Sequence, residues 1–182
     1  MSRLPNLTLD DLPLHHRARI EEAARPVGGV RPPWQVLLHS PEAAARYLDL
    51  TNYFREHSVL TVQTRELVTL ATAREWNSQY IWTAHEQPAR KVGVSDHTIC
   101  AIRDRQTLNG LPTEDIKFIR YTQELLQNRR VTDDTFHAIE ELLGSQGVVE
   151  LTILIGYYTM QAHTIAALEV NLAQGTRPLL PD

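Results

Sequence analysis

The chain has 182 residues, 42% hydrophobic and 22% charged, a globular composition long enough to bury one real core. Its formal net charge of −4, with 8 histidines counted as neutral, gives no electrostatic footing for nucleic-acid binding. The single cysteine, Cys100, excludes an internal disulfide, a CxxC redox pair and an all-cysteine metal site.

Residues 1–34 read as a proline-rich N-terminal arm, and residues 35–182 as one helical domain. No apolar leader opens the arm, so a cytoplasmic location is expected. A short amphipathic helix is predicted from about Leu14 to Ala24, ended by Pro26, Gly28 and Gly29, with a turn at Trp34 to Leu38. Ser40-Pro41-Glu42 signals a helix start: a capping serine, proline at the first helical position and an acidic first turn. That helix is expected to reach Glu56. Another opens at Thr61 to Arg65, with Leu67, Leu70 and Ala71 inward, and Asn77-Ser78 breaks it. Ile81, Ala84, His85 and Val92 then recur at helical spacing. Pro88 removes a backbone donor, so this helix is expected to kink or divide there. Gly93 and Ser95 separate it from a helix at Asp96 to Arg103. Further helices start at Thr113 and at Asp133, the latter ended by Gly144. The last and most apolar one spans about Gly147 to Leu172. Glu150, Gln161 and His163 interrupt its apolar run, which marks a buried helix and not a membrane span. No period-2 alternation persists, so an all-α bundle of seven or eight helices follows.

Glu66 lies near the apolar face of its predicted helix, and His85 falls one turn after Ile81 on the next. A carboxylate and an imidazole on the inner sides of consecutive helices can meet and hold a proton for a substrate. A purely structural Glu–His hydrogen bond satisfies the same spacing. His163, on the last helix with Tyr157 and Met160, reads either as a second pocket wall or as a core histidine. His15, His16, His57, His97 and His137 share no spacing with acids that would hold a metal, and HxxxH and HExxH are absent. Glu150-Leu151 faintly echoes Glu66-Leu67.

Arg65-Glu66-Leu67, followed by Ser78, Tyr80, Trp82 and His85 and then Gly93-Val94-Ser95, resembles the core of the carboxymuconolactone decarboxylase family, which includes the alkyl hydroperoxidase D-like proteins. Upstream, Leu38-His39-Ser40-Pro41-Glu42-Ala43 resembles the family's approach to the preceding helix. The likeness covers about residues 35–103. It implies an orthogonal helical bundle, a homo-oligomer (trimer or hexamer) and a small-molecule substrate. Peroxidase-type members use two cysteines where this chain has Ser78 and Ile81, a pair that cannot cycle through a disulfide. The decarboxylase-like members fit better, although many relatives carry a carboxylate where Ile81 stands.

The resemblance therefore implies a lyase needing neither cofactor nor metal, acting on a small carboxylated or lactone compound. His85 would donate the proton and Glu66 would orient it. Ser78 and Tyr80 would hydrogen-bond the substrate, and Ile81, Trp82 and His163 would line its site. Trp82 is off the Ile81–His85 face, a phase that also suits packing. A non-catalytic binder of the same fold is the alternative, and a thiol peroxidase is disfavoured.

Overall fold

The computed structural model describes residues 2–30 and 32–181. Among them are eight α-helices and no strand: α1 Leu14–Ala24, α2 Trp34–Leu37, α3 Pro41–Glu56, α4 Val62–Glu75, α5 Gln79–Lys91, α6 Asp96–Arg103, α7 Thr113–Asn128 and α8 Asp133–Leu168. They form two compact units. The first contains residues 2–58 together with Ile165–Asn171, and the second Val59–Thr164 with 172–181.

In the first unit α1 and α2 pack on α3. Leu12, Ile20, Leu38, Ala44 and Ala45 form one apolar cluster, with Leu7 and Leu9 of the N-terminal segment against it. Ala23, Ala24, Val27 and Leu48 form a second. The Asn52 side chain caps this packing by donating to the Ala23 carbonyl at 2.8 Å. Pro41 starts α3 as expected, but Ser40 makes no capping hydrogen bond.

The second unit is built around α4, which packs against α5, α6 and α7. Every residue from Leu67 to Ala73 is buried, so this stretch of the helix is enclosed on all sides and carries no solvent stripe. Its start is fixed by Thr61, whose hydroxyl accepts the Thr64 amide at 3.0 Å. Ser95 caps α6 in the same way, through the Thr98 amide at 3.0 Å. Asn77, with φ 47, makes the sharp turn from α4 into α5.

Two expectations fail here. The helix α5 does not divide at Pro88 but runs through it to Lys91. The carbonyl that Pro88 leaves without its helical donor is that of Ala84, and Ala84 is exposed, so solvent can satisfy it. The last helix ends at Leu168 and not near Leu172. Glu169 turns left-handed at φ 52, and the Val170 amide closes back on the Ile165 carbonyl at 2.9 Å. Within α8, Gly144 breaks the helical path with φ 64 and ψ 174, so the expected helix end there survives as a kink.

Candidate active site

Three helices of the second unit supply the site. Glu66 lies on the second turn of α4, where its backbone is fixed by the enclosed run that follows. His85 lies near the middle of α5, on the face that also carries Ser78 and Ile81 at i, i+3 and i+7 spacing. The two side chains meet: His85 Nδ1 is 2.8 Å from Glu66 Oε2. Their side chains are 23% and 18% exposed, sheltered enough for the contact to matter but not sealed from solvent.

Tyr158 of α8 completes the group. Its ring stands edge-on to the imidazole, with centroids 5.2 Å apart, and its hydroxyl is 3.5 Å from His85 Nε2. Burial, then the neighbouring Tyr157, pushes the Tyr158 phenol far above its ordinary range, so it remains protonated. Thr69 of α4 acts in the opposite direction on this phenol. The Thr69 hydroxyl gives its own hydrogen to the Arg65 carbonyl at 2.7 Å.

This wiring serves the imidazole in both protonation states. A carboxylate partner requires the hydrogen on Nδ1. When the ring is neutral, Nε2 accepts the phenol hydrogen. When it is protonated, Nε2 donates to the phenol oxygen. A proton can therefore arrive at or leave Nε2 with both ring nitrogens still partnered.

The other sequence-derived residues are placed differently. Ile81 and Trp82 are fully buried. The Trp82 indole donates to Glu86 Oε2 at 2.6 Å, and Glu86 Oε1 accepts from Arg90 at 2.9 Å, so this indole is engaged in packing α5. Ser78 occupies the cap position of α5 without capping it, and its buried hydroxyl has no partner among the described residues. Tyr80 is half-buried at the start of the helix. His163 is exposed and lies edge-on to Trp76, with centroids 4.2 Å apart. It follows Tyr158 by five residues, about 140° round the helix, and is not part of the His85 cluster. The echo at Glu150 has a structural outcome: its carboxylate accepts the Val59 amide and the Gln146 side chain, both at 2.9 Å. Tyr158 itself was missed, although it follows Leu151, Leu154 and Ile155 at i+7, i+4 and i+3, the phase of the inner face. Among the described residues no three His, Cys, Asp or Glu side chains are arranged to hold a metal ion. None of the helices there is long and apolar enough to cross a membrane.

The family model described as the carboxymuconolactone decarboxylase family matches residues 41–124, a stretch that holds both Glu66 and His85. No curated protein matches the sequence significantly. Among solved structures, the chain is similar to a peroxidase-related protein with an alkyl hydroperoxidase D core from Ralstonia eutropha JMP134. The identity is 17% and the TM-score 0.68, over 95% of this chain and 93% of that one. A peroxidase-related protein from Silicibacter sp. TM1040 gives 13% identity and a TM-score of 0.73, over 95% and 92%. The debrominase Bmp8, solved as a cysteine-to-alanine variant with 2,3,4-tribromopyrrole, gives 10% identity and 0.73, over 93% and 90%. The fold is thus that of the alkyl hydroperoxidase D-like helical proteins. Residues 41–124 are similar to the carboxymuconolactone decarboxylase family, and the single cysteine leaves the chain without a CxxC dithiol.

Proposed function

We propose that Glu66, His85 and Tyr158 are the proton-handling centre of a lyase that decarboxylates a small carboxylated or lactone-like compound. The observation that supports this most is the 2.8 Å Glu66–His85 contact with Nε2 turned towards a protonated phenol. In such a reaction the bond from carbon to carboxylate breaks, carbon dioxide leaves, and the electron pair stays on a carbon conjugated to the ring carbonyl. His85, protonated at Nε2, delivers the proton to that carbon, and solvent restores it through the Tyr158 hydroxyl. Glu66 holds the imidazole in the required tautomer and stabilises its charged form. The unpartnered Ser78 hydroxyl, on the same face of α5, is suited to bind a substrate oxygen.

Peroxide reduction through a dithiol does not suit a chain whose one cysteine, Cys100, lies on α6. The buried Ile81, standing where relatives carry an ionisable side chain, favours a second reading in which the same site binds a small molecule without converting it. Carbon dioxide release from a panel of carboxylated lactones, run in deuterium oxide, separates the two. Turnover that labels the product carbon supports the lyase. Saturable binding without carbon dioxide supports the binder. Turnover retained in full by both Glu66→Gln and His85→Ala overturns the assignment of the site. A trimer or hexamer is part of this reading, supported by the apolar stripe of Val149, Ile153 and Met160 left exposed on α8 beside Trp76. Light scattering that finds a strict monomer refutes it.

A further inference from the structure

At the other end of α5, a cavity of about 290 Å³ is lined by Arg74, Asn77, Gln79, Arg105, Leu180 and Pro181, all within the second unit. None of these belongs to the proton-handling group, and Gln79 precedes His85 by about 9 Å along the helix axis. The Arg74 guanidinium spends its Nε on the Arg103 carbonyl at 2.7 Å and its Nη1 on Asn77 Oδ1. Both acceptors are neutral, and no carboxylate among the described residues lies within 4.0 Å of it. Arg105 adds a second guanidinium, anchored by donating Nη2 to the Arg74 carbonyl at 3.1 Å. Its acidic neighbour is Glu75, at 3.7 Å, which also accepts the Gln127 side chain at 2.9 Å. Arg103 is already matched with Asp104 at 2.8 Å. The cluster therefore carries one positive charge in excess. Burial and then the like charge of Arg105 pull Arg74 below its ordinary value, with Glu75 and Asp104 acting in the opposite direction.

The opposite wall is apolar and held in place. Gln79 Oε1 accepts the amides of Leu179 and Leu180 at 2.8 and 2.7 Å, and its Nε2 donates to the Leu180 carbonyl at 3.0 Å. Leu180 is thereby buried against α5. A single carboxylate matches the single excess charge and the forked donors of two guanidiniums, whereas a phosphate dianion exceeds it. The volume corresponds to about ten water molecules, room for a small carbon skeleton beyond the carboxylate.

We propose that this cavity binds a small organic carboxylate between the Arg74 and Arg105 guanidiniums, with its carbon portion against Leu180 and Pro181. The ligand stabilises the packing of residues 179–181 on α5, and it does so independently of the Glu66–His85 pair.

Calorimetric titration of the whole chain at low salt with benzoate tests this, with benzamide as the uncharged isostere and inorganic phosphate as the alternative anion. A one-per-chain benzoate step is expected. It weakens about tenfold or more in Arg105→Gln, is weaker by a similar factor for benzamide, and survives His85→Ala unchanged. Benzoate is also expected to raise the Tm of the native chain and not that of Arg105→Gln, whose native side chain is 45% exposed. Any one of four results overturns the site: no saturable step, benzamide binding as well as benzoate, Arg105→Gln binding as well as the native chain, or loss of the step in His85→Ala. The last of these would place benzoate at the proton-handling centre without touching the proposal made for that centre. Phosphate binding more tightly than benzoate overturns the carboxylate assignment.

Discussion

Replacing Glu86 by alanine is expected to destabilise the protein by about 2–4 kcal/mol while leaving the chemistry next door intact. Glu86 follows His85 in sequence but points about 100° further round the helix, into the core, where it is only 6% exposed. Its Oε2 accepts the indole N–H of Trp82, a side chain with 0% exposure. Water cannot replace that acceptor, so the variant leaves a buried donor unsatisfied at about 1–3 kcal/mol. The lost side-chain burial adds about 1 kcal/mol. Arg90 contributes little more, because it keeps Asp96 as a partner. Urea unfolding followed by tryptophan fluorescence reads this directly. With a slope of about 2 kcal/mol per molar, the midpoint falls by about 1–2 M at unchanged slope. Glu86→Gln retains a carbonyl for the indole and is expected to lose only about 1 kcal/mol. A midpoint within about 0.3 M of native for Glu86→Ala would show that the Trp82–Glu86 bond does not hold α5, and the division of labour between positions 85 and 86 would fall with it.

Glu66→Gln and His85→Ala are each expected to lower kcat by about 10²–10⁴-fold on any substrate the native chain converts, measured as initial rates. Tyr158→Phe removes one long hydrogen bond and is expected to cost about 2–10-fold in kcat. Gly144→Ala introduces a Cβ into open space, so its cost is purely conformational. At φ 64 and ψ 174 that cost is about 1–3 kcal/mol, read from chemical unfolding. The Thr132 amide, with help from the Thr135 and Thr132 hydroxyls, holds the Glu124 carboxyl below its ordinary value. A depressed carboxyl contributes stability at pH above its unfolded value of about 4.5 and loses it as pH falls through the lower folded value. Glu124→Gln is therefore expected to flatten the acid limb of a Tm-against-pH curve, and an unchanged limb refutes the linkage.

Local chemistry made most of the fold legible in the sequence. Pro41, Thr61 and Ser95 mark helix starts because each acts within one turn of its own position, and those boundaries appear as read. What escaped depends on distant partners. Pro88 reads as a breaker until the exposure of Ala84 is known. Trp82 reads as either a wall of the site or a packing residue until its indole proves to be buried and bonded to Glu86. Glu66 and His85 were legible because each sits on the inner face of its own helix. Tyr158 lies 73 residues from His85 in sequence, and only the packing of α8 brings them together. His163 shared the apolar helix but not the phase, which is why its partner is Trp76.

A stretch of helix enclosed on every side leaves natural or laboratory selection nowhere to experiment. From Leu67 to Ala73 each side chain of α4 touches something that would have to move with it, so Glu66 is mounted on the least adjustable part of the second unit. New substrate preferences should therefore arise on the walls that α5 and α8 contribute, around a carboxylate that stays put. In a mutational library, tolerated changes should crowd onto those two helices and avoid the stretch that carries the acid.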